Sequence, residues 1–260
     1  MVQSLRRLVH PKPSGALVSK FETHVRLLVL VCTYNERANL PRLANEIFAA
    51  APQSHLLVVD DGSPDGTGDW AAEESLRRPQ LHLIQRGAKL GLGTAIKAGL
   101  SYAIEHGFDY AMNLDADFSH DPAQIPPLLE VAIGSQAALV IGSRYVEGGG
   151  LKNCSWRRHF VSRAANIYAR AIVGWKIRDC SSAYRCYRVE ALQKIALSNI
   201  QCEGYGFLEE ILWAILRSGG SVVESPIIYT EREHGESKIS LKEATGTLAV
   251  LHRLALARFR

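Results

Sequence analysis

The chain reads as an α/β protein with a Rossmann-like, mostly parallel sheet flanked by helices. Three observations predict this. Short β-rich runs alternate with longer segments, as strands joined by crossover helices do. Those longer segments carry apolar residues at three- and four-residue steps. Finally, 260 residues that are 47% hydrophobic and 22% charged can bury one full core.

Residues 1–24 mix Pro11, Pro13 and Gly15 with scattered charges and no period, and are read as a flexible extension. Strands are expected at residues 27–32 (LLVLVC), 55–60 (HLLVVD), 81–85 (LHLIQ), 109–115 (DYAMNLD) and 138–143 (ALVIGS). Leu40, Leu43 and Ile47 mark one intervening helix, Leu92, Ile96, Leu100 and Ala103 a second, and residues 123–134 a third after Pro122. The second half predicts helices at about 156–173 and 207–218, a β-rich stretch at 221–231, and a last helix from about Ser240 to Phe259. In that helix Leu241, Ala244, Leu248, Leu251 and Ala255 form a stripe, with Lys242, Arg253, Arg258 and Arg260 between or after them. It either packs on the core or lies on a lipid surface. The organisation expected is an extension (1–24), one α/β domain (25–239) and a C-terminal amphipathic helix (240–260).

The net charge of +4 is supplied by residues 1–26, where Arg6, Arg7, Lys12, Lys20 and Arg26 face only Glu22. A neutral body lacks the broad basic face that a nucleic-acid binder needs. The five cysteines (Cys32, Cys154, Cys180, Cys186 and Cys202) have no zinc-ligand spacing and are odd in number, so reduced thiols in a cytosolic-type compartment are expected. No uncharged apolar run reaches the roughly 20 residues of a membrane span.

In open parallel sheets, ligands bind beyond the carboxyl ends of the strands. Those ends carry Tyr34-Asn35-Glu36, Asp60-Asp61, Asp115 with Asp117, and Arg144, so one site can gather them all. Asp115-Ala116-Asp117 can turn two carboxylates towards one hard cation, magnesium or manganese, which commonly keeps substrate phosphates in its shell. A solvated turn into Ser119-His120-Asp121-Pro122 is the competing reading. Asp60-Asp61 enters Gly62-Ser-Pro-Asp-Gly-Thr67. There a carboxylate can reach base or ribose donors, while Asp65 or Thr67 can cap the next helix. Residues 87–95 (GAKLGLGTA) fit neither the dinucleotide fingerprint nor a P-loop; the glycines suit a tight turn, with Lys89 available to an anion. The first strand-to-helix turn contains no glycine, which disfavours a dehydrogenase, and no N-terminal glycine-rich activating loop is present, which disfavours a sugar nucleotidyltransferase.

Taken in order, Cys32-Thr-Tyr-Asn-Glu36, Asp60-Asp-Gly-Ser-Pro-Asp-Gly-Thr67, Lys89-Leu-Gly-Leu-Gly-Thr94, Asp115-Ala-Asp117, Gly142-Ser-Arg-Tyr145, Arg178-Asp-Cys-Ser-Ser182 and Gly235-Glu-Ser-Lys238 resemble the polyprenyl-phosphate (dolichol-phosphate) mannosyltransferases of the inverting family-2 glycosyltransferases. The resemblance spans about residues 27–240 and implies a GT-A fold. It implies a donor site for GDP-mannose drawn from Cys32, Tyr34, Glu36, Asp60, Asp61, Asp115, Ala116, Asp117, Arg144, Arg232 and Lys238. Asp115 and Asp117 would hold Mg2+ or Mn2+ on the diphosphate, and Arg232 and Lys238 would close over it. Arg144, Arg158 and Ser162 would form the acceptor-phosphate site. Asp115, Asp117, Arg144 and Arg232 are thereby the implied catalytic set. Two positions depart from the family: Cys32 stands where Pro is frequent, and Ser119, a poorer metal ligand, stands where Gln is frequent.

This chemistry needs no protein base, because a lipid monophosphate with a second pKa of about 6 is largely dianionic at neutral pH. The protein must align the attacking oxygen and stabilise charge on the leaving nucleoside diphosphate. Glu209 and Glu210 resemble an acidic pair that acts as base in other family-2 enzymes; Leu208, Ile211 and Leu212 fit a surface helix edge equally, and the pair stays outside the expected catalytic set. A transferase using UDP-glucose, and a catalytically weak sugar-nucleotide-binding subunit, are the alternatives. Lys152, Arg157, Arg158, Arg163 and Arg170 interleave with Trp156, Phe160 and Tyr168, a mixture that suits a membrane interface as well as a solvated helical face. The expected location is peripheral, on the cytoplasmic face of a membrane, reached by direct docking or through a separate membrane-anchoring subunit.

Overall fold

A computed structural model describes residues 25–231 and 241–258. The expected extension at 1–24, together with Arg232 and Lys238, lies outside the described residues. The chain runs β1 (Leu27–Thr33), α1 (Leu40–Ala50), β2 (His55–Asp60), α2 (Thr67–Arg77), β3 (Leu81–Gln85), α3 (Leu92–Glu105), β4 (Tyr110–Asp115), a 3-10 turn (Pro122–Gln124) leading into α4 (Ile125–Ser135), and β5 (Leu139–Ser143). It continues through β6 (Gly150–Lys152), α5 (Trp156–Val173), β7 (Arg185–Arg188), α6 (Val189–Leu192), α7 (Phe207–Arg217), β8 (Val222–Pro226), β9 (Ile228–Thr230) and α8 (Leu241–Ala257).

The main sheet has seven strands in the order β3-β2-β1-β4-β7-β5-β8, and β6 pairs with β9 in a second, two-stranded sheet. All pairings in the main sheet are parallel except those of β7, which runs antiparallel between β4 and β5. Alternate β1 residues feed opposite faces, as the two-residue strand period requires. Leu28 and Leu30 pack with α3, α5, α7 and α8, whereas Leu27, Val29 and Val31 pack with α1, α2 and α4. Three layers result, with the sheet buried on both sides, which is why its strands read as continuous apolar runs.

Short elements β6 and α6 were not expected from the sequence, and two further departures concern the core. Strand β7 (RCYR) was not expected, because flanking arginines mask the short apolar pair Cys186 and Tyr187. Arg185 is nonetheless fully buried: its guanidinium donates to the carbonyls of Ser182 (2.7 Å), Leu208 (2.6 Å) and Cys180 (2.5 Å). In α8 Val250, Leu251 and Leu254 are buried; of the expected stripe of Leu241, Ala244, Leu248, Leu251 and Ala255, Leu251 reaches the core and Ala255 is half-buried, while Ala244 and Leu248 are exposed. Leu and Ala occur on nearly every side of this helix, and packing against α5 and α7 selects among the stripes. α8 is therefore part of the core of the α/β domain.

Candidate active site

The register of the sheet assembles the site. Thr33 lies opposite Asp60 across β1 and β2, and Cys32 opposite Asp115 across β1 and β4, so the carboxyl ends of three strands finish level. β5 points the same way and delivers Ser143 and Arg144 to that edge.

The first carboxylate pair is tightly held. Asp60 is fully buried; Oδ1 accepts from Thr33 Oγ1 (2.9 Å) and Ser63 Oγ (2.5 Å), and Oδ2 from the Ser63 amide (2.9 Å). Asp61 pairs with Arg86 and accepts from the Leu90 amide at 3.1 Å, while Arg86 also donates to Thr94 Oγ1 at 2.7 Å. This ties the 87–94 loop to the end of β2. The loop is also pressed on residues 202–207: a Cβ at Gly91, where φ is +98°, would sit 2.5 Å from the Glu203 carbonyl. Asp65 takes the capping role, accepting from the amides of Thr67 (3.0 Å) and Arg37 (3.0 Å). Thr67 Oγ1 receives the Glu36 amide at 3.0 Å. Glu36 itself is buried, Tyr34 is half-buried, and Lys89 Nζ stands 4.3 Å from the Tyr34 ring centre.

The second pair closes β4. Asp117 and Ala116 are buried, whereas the Asp115 side chain is 38% exposed. Asp117 Oδ1 accepts the Ser119 amide at 3.1 Å, so the turn that follows the strand orients the carboxylate. The Asp115 amide donates to His120 Nδ1 at 3.1 Å, which makes that nitrogen an acceptor and puts the ring proton on Nε2. Burial pulls the His120 pKa down to about 4 against the opposing charge of Asp117, so the ring is neutral. Among the described residues no cluster of three His, Cys, Asp or Glu side chains could hold a metal. Two carboxylates, one of them facing solvent, fit an ion that takes its remaining ligands from water and phosphate, the habit of Mg2+.

The arginines are positioned by distant partners. Arg144 grips the fully buried Asp179 from its backbone amide (2.9 Å), Nε (2.7 Å) and Nη2 (2.7 Å), and Nη2 also donates to Ser181 Oγ at 3.0 Å. Asp179 is in turn placed by Glu224, which accepts the amides of Arg178 (2.8 Å) and Asp179 (2.9 Å). Ser181 Oγ also receives Asn166 Nδ2 at 3.0 Å, and Asn166 bonds the Ser162 carbonyl. Tyr145 closes this ring of contacts by donating to Ser162 Oγ at 2.7 Å. Arg158 donates to Glu231 Oε1 and to the Tyr229 hydroxyl, both at 2.9 Å. The Tyr229 ring lies beneath both guanidinium groups, 5.6 Å from that of Arg144 and 5.7 Å from that of Arg158. Tyr229 also contacts His120 edge-on at 5.6 Å, which links this cradle to the Asp115–Asp117 turn.

The structure thus brings Arg144, Arg158 and Ser162 together and sets them beside the carboxylate pair. Asp179, Tyr145, Asn166 and Tyr229 hold that arrangement, and sequence reasoning assigned them no role. The Arg178-Asp-Cys-Ser-Ser182 motif contained the signal, but its partner lies 35 residues away. Glu209 and Glu210 are buried, which corrects the surface-edge alternative. Burial pushes the Glu209 carboxyl up to about 7 while Arg185 pulls it back, and Glu210 accepts from the Cys202 amide (2.8 Å) and pairs with Arg253 (2.8 Å).

Comparison with known proteins agrees with this architecture. The model of the family described as glycosyl transferase family 2 matches residues 28–196. The chain is 47% identical over 216 residues, 83% of its length, to polyprenol monophosphomannose synthase of Mycolicibacterium smegmatis, covering 81% of that protein. It is 43% identical over 216 residues to undecaprenyl-phosphate mannosyltransferase of Micrococcus luteus, covering 83% of this chain and 88% of that one. Its fold matches glucosyl-3-phosphoglycerate synthase of Mycobacterium tuberculosis, solved with Mn2+, UDP-glucose and phosphoglyceric acid, with a TM-score of 0.68 at 17% identity over 95% of this chain and 86% of that one. A strand order set by a single antiparallel insertion, a carboxylate pair ending β4, and a family match over most of the domain lead to one conclusion: the chain is a glycosyltransferase and belongs to glycosyl transferase family 2.

Proposed function

We propose that this enzyme transfers mannose from GDP-mannose to the phosphate of a polyprenyl (dolichyl-type) lipid, with inversion at the anomeric carbon, at the cytoplasmic face of a membrane. The observation that carries this reading is the contact of the Asp115–Asp117 turn, through His120 and Tyr229, with a cradle containing Arg144 and Arg158. A diphosphate site and a monophosphate site then lie side by side. Mannose and the polyprenyl acceptor are supported by the names of the relatives at 47% and 43% identity. Among the described residues no helix is long and apolar enough to cross a membrane.

In this mechanism Arg144, immobilised by Asp179, and Arg158 hold the acceptor phosphate with one oxygen aimed at the anomeric carbon; planar guanidinium forks suit that task. The phosphate oxygen forms the new bond to that carbon as the bond to the nucleoside diphosphate breaks on the opposite face. No proton has to be removed from a dianionic phosphate, in keeping with the burial of Glu209 and Glu210. Asp115 and Asp117 would hold Mg2+ or Mn2+, whose charge stabilises the departing diphosphate when it is bound. Arg232 and Lys238 are assigned to the same diphosphate, while Tyr34, Glu36 and Asp61 frame the nucleoside end.

The test is transfer of radiolabelled sugar from GDP-mannose and from UDP-glucose to a polyprenyl phosphate, with Mg2+, Mn2+ or EDTA. Metal-dependent product from GDP-mannose alone, with β configuration from the α-linked donor, is expected. Product from UDP-glucose would retain the site and replace the sugar. Donor binding without transfer from either would overturn the reading in favour of a sugar-nucleotide-binding subunit.

A further inference from the structure

Residues 201–206, which lead into α7, make a close contact with the donor side of the site that the mechanism above does not use. Helix α3 opens at Gly91, which brings no side chain to cap it. A carbonyl from far along the chain takes that place: Glu203 O accepts the amides of Gly93 at 2.7 Å and Thr94 at 3.4 Å, in the first turn of the helix. The two segments meet backbone to backbone. A Cβ at Gly93 would lie 2.6 Å from Phe207 Cβ and 2.7 Å from the Cys202 carbonyl oxygen, so the approach requires glycine. On its other side the same loop is bound to Asp61 and Arg86 through the Leu90 amide (3.1 Å), Thr94 Oγ1 (2.7 Å) and the Gly91 carbonyl (3.2 Å). A displacement of Glu203 is therefore passed to the Asp61–Arg86 pair.

The backbone that carries Glu203 is held by Glu210. From the first turn of α7 its buried carboxylate accepts the amides of Gln201, at 3.2 Å to each oxygen, and of Cys202 at 2.8 Å. Arg253 of α8, with its side chain 43% exposed, pairs with Glu210 Oε1 at 2.8 Å and donates to Gln201 Oε1 at 2.6 Å. Glu243 of α8 accepts the Tyr205 amide at 3.2 Å. Both oxygens of Glu210 are thereby committed to backbone amides and a guanidinium rather than to a substrate proton. Resting on the nucleoside-site reading above, we propose that Glu210 is a positioning residue for the donor: by fixing the Gln201–Glu203 backbone it seats the 87–94 loop and holds Asp61 and Arg86 at the nucleoside end. One member of the acidic pair then serves donor geometry, and α8 braces the donor side of the site through Arg253 and Glu243.

The experiment measures binding of GDP and of UDP to the full chain by calorimetry, with acceptor KM, kcat and melting temperature taken on the same preparations. Glu210→Ala should raise the Kd of the nucleoside diphosphate that wild type binds by about tenfold and leave the acceptor KM unchanged. Glu210→Gln keeps an oxygen for the two amides and should return that Kd to near the wild-type value. Arg253→Ala removes only the half-exposed ion pair and should leave the Kd unchanged. Gly91→Ala, pressed against the Glu203 carbonyl, should raise the same Kd from the loop side, and it tests the link without altering α7 should Glu210→Ala not fold. An unchanged Kd in Glu210→Ala or in Gly91→Ala, or an acceptor KM that rises as much as the Kd, would overturn the proposal. Normal donor binding by Glu210→Gln with transfer slowed by about 10²-fold or more would overturn it in favour of a catalytic base. Wild type that binds neither nucleotide would instead overturn the nucleoside-site reading, because every comparison among the variants starts from wild-type binding.

Discussion

The carboxylate side and the arginine side of the site differ in how much of their geometry is local. Asp60 and Asp117 accept from groups two or three residues away, the Ser63 hydroxyl and amide and the Ser119 amide, and Asp60 accepts in addition from Thr33 Oγ1 on the neighbouring strand. Arg144 and Arg158 are oriented by Asp179, Tyr229 and Glu231, which lie 35, 71 and 73 residues away. A carboxylate at a strand end can be aimed in part by its own turn, because backbone amides are at hand there. A long guanidinium side chain needs a counter-charge supplied by another element, so its geometry depends on the whole fold.

The strongest way to break this contrast is Asp179→Ala, which leaves the Arg144 guanidinium buried without its partner. A loss of about 3–5 kcal/mol of stability is expected from removing one member of a buried ion pair, read as a fall in denaturation midpoint together with a raised acceptor KM. A milder variant, Asp179→Asn, should keep the fold and still raise the acceptor KM while sparing donor binding. Unchanged acceptor KM in both would show that Arg144 does not need its clamp.

Asp117→Ala tests the local side. If Asp117 holds the metal as proposed, losing that ligand removes the charge that stabilises the departing diphosphate and should lower kcat by roughly 10²–10³-fold. Melting temperature should fall by less than in Asp179→Ala, because Asp117 Oδ1 accepts an amide of its own turn and its loss strands no buried guanidinium. A large stability loss instead would make this carboxylate structural.

Glu231→Gln should have a smaller effect. The Arg158–Glu231 pair is partly exposed, and such pairs contribute about 0–1 kcal/mol. Releasing Arg158 should lower the acceptor KM by up to roughly fivefold, because the carboxylate competes with a phosphate for the same guanidinium. A rise in KM would mean that Glu231 holds Arg158 in its working position.

The smallest effect should come from the amino end of the sheet, remote from the site. His55 Nδ1 and His82 Nε2 share a hydrogen bond of 2.9 Å, and both pKa values are lowered, by burial first and then by neighbouring charge from Arg26 and from the other histidines. The unfolded chain therefore takes up protons more readily than the folded one. Stability from this pair is complete above the unfolded histidine value of about 6.5 and is lost as pH falls through and below it. Unfolding midpoints measured from pH 8 to pH 5 should show the decline, with a shallower slope in His82→Gln. Equal slopes in the two proteins would remove this pair from the account.

The sequence by itself determined the alternating α/β order, the core helices marked by Leu40, Leu43 and Ile47 and by Ile96, Leu100 and Ala103, and the strand-end carboxylates. Each of these signals is carried within a few residues by hydrophobic period or by turn chemistry. Tertiary structure alone decided that Arg185 enters the sheet on an antiparallel strand, that Glu209 and Glu210 are buried, and which stripe of α8 faces inward. It also decided that Asp179 clamps Arg144 and that Trp156 and Phe160 face away from the core while Arg158 and Ser162 face the cradle. The physical reason is common to all of these. Burial of a charge, or the choice of one helix face over another, depends on partners far away in the chain, and no local pattern encodes where those partners will be.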